Sequence, residues 1–569
     1  MKQNYIPIFS IMIILLQLDF IKSYHCGFGK GNRPPKTFIS MESSKRHLDT
    51  NTYDAIRIYI DTTELDSQGI DSSKLTVLKN ALTKAKNDYE GLLKVIPLSK
   101  FKISGNSAAS SLKRSCGVSS FNTQITGSGI DADMVIFPKI SSDLGSSVIA
   151  ASQNCISVKS TSKPLAGYIW INPDYLGTGD NYELFLKNTL FHEMAHILVF
   201  DPDLFQLFGN IGQITLNGVS YYTIGSEKVL EKAKVHFDCD SLTGVLLENQ
   251  GSSGSANSHW EARIMLGDYM ISTNYIENVV SDITLALFED SGWYKVNYYT
   301  GGLFRFGKGR GCEFINQKCI INQKTNFPNE FCLSQQGPRC TNSHLFYGSC
   351  YLGSYHSSIP SQYQYFGSST FGGFSAADYC PVGFGKIPSE ISNLYTTSCT
   401  NGNAQYSNVK ELGETIGSNS VCVLSNLRPN NYLEQLSDYT SVRAICHKMT
   451  CDFTNKQTIF TIGDQTITCP KAGGVLSNPS GFTGDFECPE FNIVCTSENY
   501  CTDISDCIDK KSTLALIEIS TDSSTNSTSG DTSSTKLPEN TNYDYDVKKS
   551  NSKMLIKHYL SILITVLLF

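Results

Sequence analysis

The sequence lacks an excess of basic residues. Its 569 residues include 46 Lys and Arg against 53 Asp and Glu, which gives a formal net charge of −7. Binding to nucleic acid depends on a positive surface, so this balance gives no support to a nucleic-acid partner. The charged fraction of 17% and the hydrophobic fraction of 40% are those of an ordinary folded protein. We see no internal repeat, and the length suits two or three domains that share one cleft.

Long apolar stretches are also missing, because about 20 residues are needed to cross a bilayer and no run reaches that length. At the start, an apolar run over 6–20 lies between Lys2 and the small residue Ser23. This order is typical of a secretory signal peptide, which we assign to 1–23. We therefore expect an oxidising destination, and we assign 24–50 to a short prosegment.

The far end of the chain has a polar stretch followed by a second short apolar run. Residues 511–552 are rich in Ser and Thr and contain a glycosylation sequence at Asn526, so we expect an unstructured stalk. The run over 559–569 has eleven residues and follows small residues at 550–552 and a polar spacer. This pattern predicts a lipid-anchor (GPI) signal over 553–569, and therefore a membrane-tethered protein at the cell surface. A short uncleaved tail is the alternative.

Cysteine is abundant, and its count of 19 is odd. In a secreted chain most of these cysteines should form disulfides. Fifteen of them lie between 312 and 507, where Gly, Ser, Tyr and Asn are common, so we predict a disulfide-stapled domain over 311–510. We expect this domain to pack against the preceding part through Cys239, and we expect Cys116 to pair with Cys155.

One stretch carries a recognisable chemical pattern: residues Phe191–Phe200 read FHEMAHILVF. On a helix, His192 and His196 lie one turn apart on the same face and can reach one metal ion, with Glu193 beside them. Two neutral imidazoles leave room for a third protein ligand and a water, as in a catalytic zinc site. Glu193 could then take a proton from this water as it attacks a peptide carbonyl. Two polar histidines on a helix surface are the alternative.

The flanks of the motif predict its helix. Gly179 and Asp180 make a plausible start with Asp180 as N-cap, and Asp201 with Pro202 should end the helix. Four apolar residues at helical spacing predict a buried stripe: Leu186, Leu190, Met194 and Ile197.

The region before this helix has a mixed α/β pattern. We predict strands over 55–61, 132–140 and 167–172, and a helix over 73–96. This order of elements resembles that of several zinc endopeptidases, in which the last strand lies at the edge of a sheet over the cleft. An extended peptide could add to such an edge by main-chain hydrogen bonds. Tyr168 and Trp170 are our candidates for this substrate-binding edge. A core tryptophan is the alternative for Trp170.

The motif needs a third ligand, and two histidines downstream are candidates. His236 belongs to a predicted helix over 225–237, on what reads as a packing face. His259 stands 259 − 196 − 1 = 62 residues beyond His196, and Met270 follows it by eleven positions. No E-x-x-x-D pattern follows on a nearby helix, which disfavours a glutamate as third ligand. Three other histidines, His344, His356 and His447, we interpret as ordinary polar residues.

With His259 and Met270 added to the motif, the sequence resembles the leishmanolysin family of zinc metalloendopeptidases, which belongs to the metzincin clan. The resemblance rests on the HExxH motif, the long insertion, and the stretches at 280–298 and 306–314, and it covers roughly 55–507. It implies an α+β fold: a metzincin-like catalytic domain with a mixed sheet, backing and active-site helices, and then the Cys-rich domain. We divide the catalytic part into 51–200 and 201–310.

The resemblance also implies roles for individual residues. His192, His196 and His259 become ligands of one catalytic Zn²⁺, and Glu193 becomes the catalytic base. Met270 becomes the methionine of the turn below the metal, for which an ordinary core methionine is the alternative.

Cys26 is the candidate for the cysteine left over by pairing. Near the start of a secreted zinc protease, a thiolate can be a fourth zinc ligand that displaces the catalytic water until the leading segment is removed. Alternatively, Cys26 pairs and another thiol remains.

Val199 departs from the family pattern, which usually has glycine three residues after the second histidine. A β-branched residue does not easily adopt the left-handed conformation that glycine permits. We therefore expect the exit of the helix either to differ from the family's or to carry strain.

Together these patterns predict a secreted, membrane-tethered zinc endopeptidase with protein and peptide substrates. The alternative, from a different class, is a surface adhesion or binding protein that kept the fold and lost turnover.

Overall fold

The computed structural model describes Cys26 and residues 34–39, 52–251, 254–273, 275–298, 304–335, 337–385, 391, 396–400 and 410–495. The predicted signal peptide, stalk and anchor signal, as well as Cys507 and most of the prosegment, lie outside these residues. All the described residues belong to one compact unit, 1–514. Across this described part, we find no helix with the length and apolar character needed to cross a membrane. The boundaries between the proposed domains stay predictions.

The α-helices are α1 Thr63–Ser67, α2 Ser72–Leu92, α3 Ala108–Cys116, α4 Asp180–Leu198, α5 Pro202–Phe208, α6 Glu227–Phe237, α7 Ala262–Met265, α8 Asp282–Asp290, α9 Gly311–Asn316 and α10 Phe491–Val494.

The strands before the Cys-rich region are β1 Thr37–Ile39, β2 Asp54–Ala55, β3 Ile58–Ile60, β4 Leu93–Val95, β5 Met134–Ile140, β6 Ala150–Val158, β7 Pro164–Ile171, β8 Ile211–Leu216, β9 Val219–Ile224, β10 Val245–Leu246 and β11 Lys295–Val296. Those within it are β12 Pro338–Cys340, β13 Tyr347–Tyr351, β14 Gly353–Ser354, β15 Phe371–Gly372, β16 Val382–Gly385, β17 Ser420–Ser425, β18 Arg428–Pro429, β19 Arg443–Asp452, β20 Gln457–Ile462, β21 Gln465–Cys469, β22 Gly474–Ser477, β23 Phe482–Thr483 and β24 Asp485–Cys488.

A five-stranded mixed sheet organises the catalytic part, in the order β1-β6-β7-β5-β3. Strands β3, β5 and β7 run parallel, β6 runs antiparallel to β7, and β1 pairs parallel with β6. Successive side chains point to opposite faces, so Met134 and Ile136 join the core below α2 and α4, while Val135 and Phe137 join a second core with α3. Both faces are therefore covered, as is usual for parallel strands.

The predicted edge position of the strand at 167–172 is wrong. This strand, β7, lies inside the sheet between β5 and β6. Tyr168 and Trp170 are buried in the second core, so Trp170 is a core residue and neither side chain lies on a substrate-binding edge. Strand β6, all nine of whose residues are buried, is among the strands that the sequence analysis did not predict.

The other predicted elements of this region are present, and they differ from the prediction mainly in where they begin and end. The helix predicted over 73–96 ends at Leu92, and β4 follows it directly. The strand predicted over 55–61 is shorter, because β3 begins at Ile58 and Ala55 belongs to a separate three-stranded sheet with β4 and β11.

The helix of the HExxH motif, α4, has the predicted buried stripe but different ends. Gly179 is the N-cap and Asp180 is the first helical residue, so the predicted cap is wrong by one position. Val199 has φ −156° and ψ −30°, so the chain leaves the helix without a left-handed residue at this position. Asp201 instead caps α5, because its Oδ1 accepts from the Asp203 amide at 2.8 Å and Pro202 takes the first helical position.

Eight disulfides are present among the described residues, and seven of them involve the Cys-rich region. The predicted pair Cys116–Cys155 is confirmed, and Cys239 joins the catalytic part to Cys312 as expected. The other six bridges are Cys319–Cys380, Cys332–Cys350, Cys340–Cys422, Cys399–Cys446, Cys451–Cys495 and Cys469–Cys488. The mixed helix and sheet content with this concentration of disulfides confirms the predicted fold class.

Candidate metal centre

Three imidazole rings converge at the end of α4. His192 Nε2 and His196 Nε2 lie 3.1 Å apart, and each is 3.2 Å from His259 Nε2. The helical spacing places the first two on one face, while His259 reaches the same point from the loop that precedes α7. The structure therefore brings together the three histidines selected from the sequence.

Each ring is oriented through its other nitrogen. Nδ1 donates to a main-chain carbonyl in all three cases: His192 to Tyr269 O at 2.5 Å, His196 to Phe200 O at 2.7 Å and His259 to Ser255 O at 3.0 Å. A carbonyl oxygen can only accept, so the proton of a neutral ring sits on Nδ1 and the Nε2 lone pairs face one another.

Burial keeps two of these rings neutral. Desolvation lowers the pKa of His192 to about 4, and desolvation together with the neighbouring histidines lowers the pKa of His196 well below its ordinary value. Three lone pairs about 3 Å apart repel one another unless a cation lies between them. The neutral imidazoles are thus in the form that binds a metal ion.

Glu193 lies beside this point and is completely buried. Ser152 Oγ on β6 donates to Glu193 Oε2 at 2.7 Å, and the same hydroxyl lies 2.8 Å from the Glu193 carbonyl oxygen. Oε1 has no hydrogen-bond partner in the described part of the chain. Burial raises the pKa of Glu193 to about 7, against the lowering effect of Ser152 and the nearby Cys26 thiol. Ser152 is a site residue that the sequence analysis missed.

Met270 is fully buried and follows Tyr269, whose carbonyl orients His192. Its turn is tied to the His259 loop, because Trp260 N donates to Met270 O at 2.9 Å. Its own amide donates to Asp268 Oδ1 at 2.7 Å. The turn therefore supports two of the three histidines through main-chain contacts, and the role of the Met270 side chain stays a prediction.

Cys26 completes the cluster. Its Sγ lies 3.4 Å from His196 Nε2, and its amide donates to Ser272 O at 3.4 Å. The Cys26, His192, His196 and His259 ligand atoms all lie within 4.8 Å of one another. The other candidate for the third ligand, His236, is not part of this cluster, and its Nε2 donates to Phe306 O at 2.9 Å.

Comparison with known proteins agrees with the motifs. The model of the leishmanolysin peptidase family matches residues 74–502, which is most of the chain. The chain belongs to the leishmanolysin family.

Individual members of the leishmanolysin family show the extent of the likeness. A leishmanolysin homolog of Crithidia fasciculata is 28% identical over 361 residues, covering 61% of this chain and 53% of that protein. Leishmanolysin of Leishmania major is 30% identical over 240 residues, covering 41% and 39% respectively. A leishmanolysin-like peptidase of Drosophila melanogaster is 28% identical over 292 residues, covering 41% and 43%. The chain thus spans about half the length, or less, of these curated relatives.

The residues present fit the metal expected in this family of metalloproteases. Three imidazole nitrogens and one thiol form a ligand set that zinc commonly takes, whereas magnesium and calcium prefer oxygen. With the thiol withdrawn, three protein ligands and an open position remain, which is the arrangement of catalytic zinc.

Proposed function

We propose that this protein is a zinc-dependent endopeptidase that hydrolyses peptide bonds in protein substrates. The observation that carries the proposal is the convergence of the His192, His196 and His259 Nε2 atoms, with the Glu193 carboxylate beside them. Membership of the leishmanolysin family supports it.

The roles follow from the contacts of each side chain. His192, His196 and His259 would hold Zn²⁺, which when bound polarises a peptide carbonyl and acidifies a water. Glu193 takes the proton from the attacking water and passes it to the leaving amine. Ser152 orients the Glu193 carboxylate by donating to Oε2, which leaves Oε1 available for the water. The carbonyl partners of the three Nδ1 atoms fix the rings before substrate arrives.

The outer edge of β6 is the candidate for holding the substrate backbone. Ser152, which contacts Glu193, belongs to the part of β6 that pairs with β7 on one side. On the other side, β1 pairs only with 156–158, so within the described residues no strand covers 150–154. An extended peptide added there would lie beside the catalytic base.

Cys26 supports a latent precursor. Its Sγ occupies the fourth corner of the ligand cluster, where a thiolate bound to the metal would exclude the catalytic water. Removal of the leading segment would then open the site. The test compares unprocessed precursors of wild type and Cys26→Ala, and equal activity of the two would contradict the latent role.

The decisive experiment for the enzyme measures zinc content and casein cleavage of processed wild type and Glu193→Ala. We expect full zinc occupancy in both and cleavage by wild type alone. Glu227→Ala is the matched control, because Glu227 is an exposed glutamate and its loss should leave cleavage unchanged. Full zinc occupancy without cleavage by wild type would favour the adhesion-protein alternative.

We also propose that the protein is held at the cell surface by a lipid anchor. The support is the sequence pattern of the Ser/Thr-rich stalk, small residues at 550–552 and short apolar tail. Phosphatidylinositol-specific phospholipase C should release the protein from cells, and retention on the membrane would support the uncleaved tail.

A further inference from the structure

A short segment from the predicted prosegment docks on the central sheet. Strand β1 pairs parallel with the last residues of β6, in the register Thr37 with Ile156 and Ile39 with Val158. The amide of Lys159 donates to Ile39 O at 2.8 Å. This docking uses backbone groups of a sheet edge, which accept an added strand of many sequences.

Lys36, directly before β1, adds ion pairs with two acidic residues to this docking. Its Nζ lies 3.0 Å from Asp201 Oδ2 and 2.9 Å from Asp203 Oδ2. The Asp201 side chain is 2% exposed and also accepts from Asn154 Nδ2 at 3.2 Å. Among the described residues, Lys36 is the basic side chain that forms an ion pair with Asp201. A buried carboxylate that loses its cation is strongly destabilised, so this surface favours a basic occupant.

The contacts of β1 and Lys36 are separate from those of Cys26. Cys26 contacts the metal cluster and Ser272, whereas the later segment contacts β6 and the start of α5. Thr37 adds a hydroxyl contact of 2.5 Å to Ser115 Oγ on α3. The two attachments therefore share no partner residue among the described contacts.

We propose that the β6 edge at 156–158, together with Asp201 and Asp203, is a docking surface for a basic, extended segment. Its occupant in the precursor is residues 36–39. The surface holds residues 36–39 independently of Cys26, so this segment stays docked when the thiol is lost. The docking itself needs neither zinc nor catalysis, so it does not rest on the proposed function.

The test is hydrogen exchange of peptides covering 36–40 in the full-length Glu193→Ala chain, which prevents self-cleavage. Lys36→Met should speed exchange there by at least about tenfold, because the Asp201 pair is broken. Lys36→Arg should retain protection. Lys159→Met is the matched control, since it removes an exposed lysine from the same edge, and it should also retain protection.

Two further variants test whether the docking is independent of Cys26 and whether the effect persists in a variant that should fold normally. Cys26→Ala should leave exchange at 36–40 unchanged. Asp203→Asn alters an exposed carboxylate, so the chain should fold, and it should speed exchange by about two- to fivefold. Wild-type protection in both Lys36→Met and Asp203→Asn would overturn the docking surface, and loss of protection in Cys26→Ala would overturn its independence. An inactive wild-type enzyme would count against the proposed function and leave these exchange results unaffected.

Discussion

Gly167 on β7 is where the sheet and the metal-binding helix have no room for another atom. A Cβ at this position would lie 2.4 Å from Ile197 Cγ2, 2.7 Å from Ile197 Cγ1 and 2.8 Å from Gln153 O. Such distances are too short for non-bonded atoms, so Gly167→Ala must displace α4 or β6. Ile197 is the residue after His196, and β6 carries Ser152, so either displacement reaches the site.

We expect Gly167→Ala to lower the free energy of unfolding by about 1–3 kcal/mol, the usual cost of overpacking a core. Because His196 moves with Ile197, zinc should also dissociate faster from this variant. Urea unfolding measures the first effect, and transfer of zinc to a chromogenic chelator measures the second.

A matched substitution separates this clash from a general effect of alanine. Gly353 also lies on a strand, and a Cβ there meets nothing within 4 Å, so Gly353→Ala should change stability by less than about 0.5 kcal/mol. Ile197→Ala removes both short side-chain contacts, so the double variant with Gly167→Ala should lose less than the sum of the single losses. Additive losses, or a Gly167→Ala protein as stable as Gly353→Ala, would refute the reasoning.

Four other outcomes follow from the site and the disulfides. Ser152→Ala should lower kcat/KM, with a loss of about 1–3 kcal/mol in transition-state stabilisation, because a buried Glu193 oxygen loses its hydrogen-bond donor. An unchanged kcat/KM would exclude an orienting role for Ser152. Chelation should abolish cleavage and lower Tm, and added zinc should restore both; a chelator-resistant activity would contradict a metal-dependent mechanism. Replacing Cys239 and Cys312 together by alanine should lower stability in denaturant by about 2–4 kcal/mol, since their bridge closes a separation of 73 residues. Burial lowers the pKa of His447 to about 4, so as the pH falls the unfolded chain takes up this proton before the folded chain does. The neutral ring therefore contributes about 3 kcal/mol to the free energy of unfolding above pH 6.5, and this contribution is lost as the pH falls from 6.5 to 4. His447→Gln should flatten the pH dependence of urea unfolding in that range, and an unchanged slope would contradict it.

The parts of the fold that sequence could predict are those with local signals. The HExxH spacing and the apolar stripe define a helix together with two candidate ligands, since both depend only on positions within a few turns. Strand β5 has a run of apolar residues and was placed to within two residues. The pair Cys116–Cys155 followed from having no other cysteines between the prosegment and the motif.

Strand β6 was missed because its polar residues are explained only by distant partners. Its sequence, AASQNCISV, has no alternation of apolar and polar positions. Ser152 contacts Glu193, Gln153 accepts from Tyr168 OH at 3.2 Å, and Asn154 donates to Asp201. Buried polar groups that have such hydrogen-bond partners are tolerated in a core. The sequence does not show these partners, so a strand with several polar residues reads as a loop. Without β6, the sequence analysis placed the edge of the sheet at β7.

Val199 shows how a family pattern can be replaced by another local solution. The amides of Val199 and Phe200 both donate to Ala195 O, at 2.9 and 2.8 Å, which turns the chain without a left-handed residue. The turn leaves the Phe200 carbonyl 2.7 Å from His196 Nδ1, so the segment that follows the helix also orients a candidate ligand. Glycine is therefore not required at position 199 for this geometry.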